Sequence, residues 1–172
     1  MKINSFAEKM ALLGKEADQK STMITIGESY SIWNLLDKKY SAIITTQTLL
    51  EQVKDEEFKK IIANGLEVLL DQKKDLEKLS KEFSIIMPER PPEDSNTKIN
   101  YETINDRFIY RLLIESLSTS MFQELSAYQR SDSAYTREIF KKHLETEIKL
   151  YDSFYEYGKL KNYLQVSPPY RL

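Results

Sequence analysis

The chain has 172 residues, with 25 Lys and Arg against 27 Asp and Glu, a net charge of −2 and no cysteine. That length fits one domain of about 150 residues, and the absence of thiols excludes disulfides, thiolate metal sites and cysteine nucleophiles. The near-neutral balance gives no basic field for nucleic acid or anionic lipid, and no apolar run approaches the ~20 residues that span a bilayer.

Only four glycines and five prolines occur, and apolar residues recur at steps of three and four, which points to an all-α fold. Residues 1–23 form an arm in which Ser5 and Glu8 make a capping box, Phe6, Met10 and Leu13 share a face, and Gly14 stops a short helix. Glu8 and Lys9 interrupt this stretch where a signal peptide requires an unbroken apolar core, so synthesis in the cytoplasm is expected. Residues 24–172 then read as one bundle domain.

A second capping box, Thr25 with Glu28, opens the first long helix. Its stripe runs through Trp33, Leu36, Tyr40, Ile43, Gln47 and Leu50, widened by Ile32, Leu35, Ile44 and Leu49, and ends near Val53. Two residues later Asp55, Glu56 and Glu57 place negative charge in the first turn of the next helix, as the helix dipole favours. That helix carries the clearest seam of the chain: Phe58, Ile62, Gly65, Leu69, Gln72, Leu76, Leu79 and Phe83. So short a connection dictates an antiparallel hairpin.

Pro88, Pro91 and Pro92 then forbid helix, and the stretch up to Asn105 is long enough to travel the length of a bundle. A third helix is expected from Asn105 or Asp106, with the stripe Ile109, Leu112, Leu113, Leu117, Met121, Leu125 and Tyr128. Asp132 or Ser133 caps the fourth, whose seam is Phe140, His143, Glu147, Leu150, Phe154 and Tyr157. Asn162 is the expected left-handed stop, and Pro168 and Pro169 make the tail extended. Two antiparallel hairpins joined by one long crossover is the connectivity of ferritin-like four-helix bundles.

Four motifs occur in order: T-x-x-E-x-x-x-x-W (Thr25, Glu28, Trp33), D-E-E-F (Asp55 to Phe58), the proline-bearing crossover, and a tail Tyr163-Leu164-x-x-x-P-P-Y ending at Tyr170. Residues 24–172 thereby resemble a ferritin-like family of endospore-forming bacteria that includes spore coat proteins of the coat F group. The resemblance implies a bundle made in the mother cell and deposited on the spore, with itself or other spore-associated proteins as partners. Some relatives place a histidine near the position of Gln72, and this chain departs from them there.

Ferritin-like oxidases hold two metals with a Glu on each of two helices and E-x-x-H on the other two. Here the only histidine is His143, preceded three residues earlier by Phe140, so the six-ligand signature is absent. Folding the second hairpin about residue 131 sets Thr119 opposite His143 and Glu115 opposite Glu147. A mononuclear metal site of Glu115, His143 and Glu147, with Gln72 as a further oxygen donor, is one reading. The other is that His143 and Glu147 satisfy each other and neighbouring hydroxyls inside the core. Gln47 and Gln72, both on seams, are expected to be buried amides that fix helix register. The 11 tyrosines offer phenols for oxidative crosslinking, or rings for half-buried helix flanks. No catalytic constellation or phosphate loop occurs. The sequence thus favours a structural or interaction protein with no cofactor and no catalysis, with a metal- or small-ligand-binding bundle as the alternative.

Overall fold

The computed structural model describes residues 24–91 and 104–164. Four helices follow in order: α1 Ile26–Leu50, α2 Glu56–Glu82, α3 Asp106–Arg130 and α4 Ala134–Leu160. Each is capped by the residue the sequence supplies for it. Thr25 and Glu28 form the reciprocal box of α1, Asp55 accepts from the Glu57 and Phe58 N–H groups of α2, Asn105 accepts from Phe108, and Ser133 accepts from Thr136. Asn162 takes the left-handed conformation at φ 56°, letting the Tyr163 N–H reach back to the Gly158 carbonyl. Ser84, at φ 53°, plays the same part after α2. The expected arm at residues 1–23 and the tail from residue 165 lie outside the described residues.

α1 packs on α2 and α3, and α4 packs on α3 and α2. At one end the Asp106 carboxylate accepts the N–H groups of Lys54 (3.0 Å) and Asp55 (2.9 Å), while the Lys161 ammonium lies 2.8 Å from Asp55. The α1–α2 turn, the start of α3 and the end of α4 therefore meet there. At the other end Glu28 of α1 accepts from the Ser133 N–H (3.0 Å) and the Thr136 hydroxyl (2.7 Å) at the start of α4. Every neighbouring pair is antiparallel, and the connection from α2 to α3 returns the chain from one end of the bundle to the other. Its first residues are pinned to the α1–α2 seam, where Arg90 pairs with Glu77 (3.0 Å) and lies over the Tyr40 ring (5.6 Å).

Burial works against the Glu28 carboxylate. The N–H groups of Thr25 and Ser133 and the hydroxyls of Thr136 and Thr25 outweigh it and hold its pKa below the usual carboxylate value.

The seams of α2 and α4 are those expected, and all six α4 positions are buried. Those of α1 and α3 are rotated. On α1 the inward face carries Lys39 and Thr46, while Gln47 is exposed and Trp33 is 38 % exposed, so the buried-amide role expected of Gln47 is incorrect. On α3 Tyr110, Glu124 and Ala127 are buried, whereas Leu112 and Leu125 are 44 % and 38 % exposed. On those inward faces Lys39 of α1 and Glu124 of α3 meet each other and α4, and on α1 the same face carries the buried Ile32, Leu35, Leu36, Ile43 and Leu49.

The core consequently falls into two apolar clusters. One lies toward Phe58, Tyr110, Phe154 and Tyr157, with the Phe58 and Tyr157 rings stacked at 4.8 Å. The other lies toward Ile32, Leu36, Leu76 and Phe140. Between them sits a polar layer.

Candidate functional site, a charged layer and an adjoining cavity

The layer draws one or more side chains from each helix: Lys39 from α1, Gln72 from α2, Ser120 and Glu124 from α3, and His143 and Glu147 from α4. Lys39, Gln72, Glu124, His143 and Glu147 are each at most 3 % exposed. The Lys39 ammonium is its hub. It donates to Glu147 Oε1 at 2.6 Å and to the Ser120 hydroxyl at 3.0 Å, and lies 3.2 Å from Glu124 Oε1. Ser120 in turn donates to Glu147 Oε1 at 2.8 Å. His143 stands between Glu124 (Nδ1 at 3.4 Å) and Asp75 (Nε2 at 3.3 Å), and Gln72 donates to the His143 carbonyl at 3.3 Å. Lys142 braces Asp75 from outside at 2.9 Å.

Two carboxylates around one ammonium set the electrostatics. For Lys39, burial opposes the charge, but the Glu124 and Glu147 carboxylates more than compensate and its pKa rises. For Glu147, burial is the largest influence and Glu124 adds repulsion. Together they outweigh the pull of Lys39, so its pKa is raised. Burial disfavours the Asp75 carboxylate too, yet Lys142 and His143 hold its pKa down.

A cavity of about 460 Å³ opens between α1 and α3 and reaches this layer. Its rim carries Ser41, Thr45, Ser116 and Thr119, all exposed, and its floor is formed by Ile62, Leu150 and Phe154.

His143 and Glu147 thus fall in one buried layer, while Glu115 lies on the exposed side of α3, at the cavity rim. The hairpin register differs from the one expected. Because α3 runs to Arg130 and Ser133 caps α4, Ser120 rather than Glu115 meets Glu147, and Glu124 rather than Thr119 meets His143. Gln72 is buried as expected. Sequence reasoning missed Lys39 and Glu124. Their signal was position, since Lys39 follows Leu35 and Leu36 by three or four residues and precedes Ile43 by four on the same apolar face.

Among the described residues, no three His, Asp or Glu side chains form a group able to hold a metal ion. The layer does not fit the pair of ions bound in ferritin-like oxidases: an ammonium contacts both buried carboxylates, and one histidine stands where two are required.

The helix order, the antiparallel neighbours and the end-to-end crossover define a ferritin-like four-helix bundle. Within that class the chain belongs to the family described as Protein of unknown function (DUF3231), whose sequence profile matches residues 13–171. No curated protein sequence matches it. Among solved structures it is similar to a candidate spore coat protein of Bacillus halodurans (TM-score 0.79, 17 % identity, 86 % of this chain and 96 % of that one). It is also similar to a conserved hypothetical protein of Mycobacterium tuberculosis (TM-score 0.64, 9 % identity, 76 % and 96 % covered). A third is a two-domain protein of Anabaena variabilis with DJ-1/ThiJ/PfpI-like and ferritin-like domains (TM-score 0.64, 14 % identity), of which the match spans 40 % while covering 84 % of this chain. At these identities the likeness is one of fold.

Proposed function

We propose that this chain is a non-catalytic structural or interaction protein of the bacterial spore, made in the mother cell and assembled with itself or with other spore-associated proteins. The observation that carries the non-catalytic part is the Lys39 ammonium. It sits 2.6 Å from Glu147 and 3.2 Å from Glu124, supplying from within the chain the positive charge that a ferritin-like oxidase takes from metal. Spore association is supported by the likeness to the Bacillus halodurans protein and by the ordered motifs from Thr25 to Tyr170. An assembling role is supported by large apolar side chains left outside the bundle, among them Ile26 (91 % exposed) and Phe122 (72 % exposed). No helix among the described residues is long and apolar enough to cross a membrane.

The test has two arms. Immunoblots of fractionated sporulating cells are expected to place the protein in purified spores, and elemental analysis of protein prepared without chelator is expected to find no stoichiometric iron, manganese or zinc. A protein confined to vegetative cells refutes the first part. A bound transition metal lost on His143→Ala refutes the second.

A further inference from the structure

The cavity between α1 and α3 is a gap that the sequence builds into the bundle. Leu69 lies on the α2 seam, where Phe58, Ile62, Gly65, Gln72, Leu76 and Leu79 are buried, yet it is only half-buried and lines the cavity. Where α1 and α3 would close over it, their lining side chains are short: Ala42, Thr45 and Thr46 on one, Ser116, Thr119 and Ser120 on the other. Protein interiors pack at crystal-like density, so helices held at this spacing without large side chains leave room for another molecule. From Lys39 to Leu49 the lining spans ten residue steps of α1, or about 15 Å at ~1.5 Å each. An apolar cavity of about 150 Å³ takes up one benzene ring, so 460 Å³ admits roughly 15–18 non-hydrogen atoms in an elongated shape.

The chemistry of the lining selects against charge. Its inner wall is apolar, with Leu49, Ile62, Leu69, Leu113, Leu150 and Phe154. Charged residues enter the lining in balance: Lys38 and Lys39 contribute two ammonium groups, Glu115 and Glu147 two carboxylates, and Lys39 is already bonded to Glu147 at 2.6 Å. A ligand ammonium would therefore meet the Lys39 ammonium, and a ligand carboxylate would meet Glu115 and Glu147. Either would also lose its hydration against an apolar wall. The remaining polar side chains of the lining are hydroxyls and amides, and Ser41, Thr45, Ser116 and Thr119 are exposed at the rim.

We propose that the cavity binds an uncharged, elongated apolar molecule of about ten to twelve carbons with a hydroxyl head. The chain lies along the apolar wall toward Leu49 and Phe154, and the head stays at the other end, among the rim hydroxyls of Ser41 and Thr119. Spore placement neither requires nor excludes such a ligand, so this site and the spore reading fail separately.

The test titrates the full chain with hexanol, octanol and decanol, each below its solubility limit, by calorimetry and thermal melting. One-to-one binding is expected, roughly three- to fourfold tighter for each added methylene. Tm is expected to rise by roughly 3–6 °C at a tenfold excess of decanol over Kd. Decylamine and decanoate, below their micelle-forming concentrations, are each expected to bind at least about tenfold more weakly than decanol. Ser116→Trp, at an exposed rim position, and Ala42→Phe, on the opposite helix, fill the cavity. Both are expected to abolish decanol binding while circular dichroism shows the protein still folded. Phe122→Ser removes an exposed ring outside the lining and is expected to leave binding unchanged. No saturable binding, a charged analogue binding as tightly as decanol, binding that survives both cavity substitutions, or binding lost with Phe122→Ser overturns the proposal.

Discussion

Replacing Lys39 by Met removes the buried ammonium while keeping most of the side chain's volume, and the structure specifies what is lost. Contacts at 2.6 Å to Glu147, 3.2 Å to Glu124 and 3.0 Å to Ser120 vanish together, and two carboxylates stay behind at no more than 2 % exposure. Removing one partner of a buried pair costs about 3–5 kcal/mol, mostly as the penalty on the charge left unpaired. At roughly 2–4 °C per kcal/mol for a domain of this size, Tm falls by roughly 6–20 °C. The pH dependence carries a sign as well. The Glu147 pKa is already raised, so the folded state takes up a proton before the unfolded chain does, and stability declines as pH rises from its unfolded value toward its folded one. Without Lys39 that pKa climbs further, and the deficit of Lys39→Met is expected to shrink on acidification from neutrality. The double variant Lys39→Met/Glu147→Gln, which removes one charge of each sign, is expected to regain at least half of the loss. Urea denaturation at several pH values checks all three. A single-variant cost below about 1 kcal/mol, or a double variant no better than the single, would refute the buried-charge reasoning.

Two further expectations concern the aromatic end of the bundle. Gly158 on α4 has no room for a methyl group, because a Cβ there would collide with the Tyr110 ring and hydroxyl, and Tyr110 is only 1 % exposed. Gly158→Ala is expected to cost about 3 kcal/mol by urea midpoint. Gly158→Ala/Tyr110→Leu should cost clearly less than the sum of its two singles, and simple additivity would refute the clash. The Tyr110 hydroxyl is buried without a hydrogen-bond partner among the described residues, and burial, with smaller contributions from Tyr151 and Tyr155, pushes its pKa up to about 12. Its contribution to stability is present below its ordinary value of 10.0 and is lost as pH rises through about 12. Tyr110→Phe is therefore expected to be neutral or mildly stabilising at pH 7 and to flatten the alkaline fall, read from melts across that window.

What the sequence made legible follows the purity of each helix's apolar stripe. In α2 and α4 the seam residues are separated by charged ones, so one face alone can be buried, and the structure buries it. In α3 apolar residues surround the helix, with Phe108, Leu112, Phe122 and Leu125 left outside, and periodicity alone could not choose among faces. Lys39 was illegible for a different reason. A lysine is almost always wet, and only its partners on other helices justify its burial. Those partners depend on hairpin register, and a turn centred at residue 131 instead of capped at Ser133 moved Glu124 away from His143. The caps, being local, needed no such knowledge: the Thr25 and Glu28 box stands as expected, Asn105 and Ser133 were each one of two candidate positions, and Asp55, expected within the first turn of α2, is its cap.

The charged layer also accounts for why this bundle has one register. The apolar clusters on either side of it consist largely of aliphatic and aromatic side chains that mate tolerably with neighbours one turn away. Slipping α1 by one turn moves it about 5.4 Å, which carries the Lys39 ammonium out of reach of Glu147, Glu124 and Ser120 at once. Three buried charges would then lack partners, at a cost that no re-mating of leucines offsets. Glu28 opposes the same slip at the end of the bundle, since it must stay within hydrogen-bonding distance of Ser133 and Thr136 on α4 while capping its own helix at Thr25. Two charged residues on α1, 11 positions apart and both buried, hold it to α3 and α4 in a single alignment, and the cavity beside Lys39 keeps its shape because that alignment is fixed.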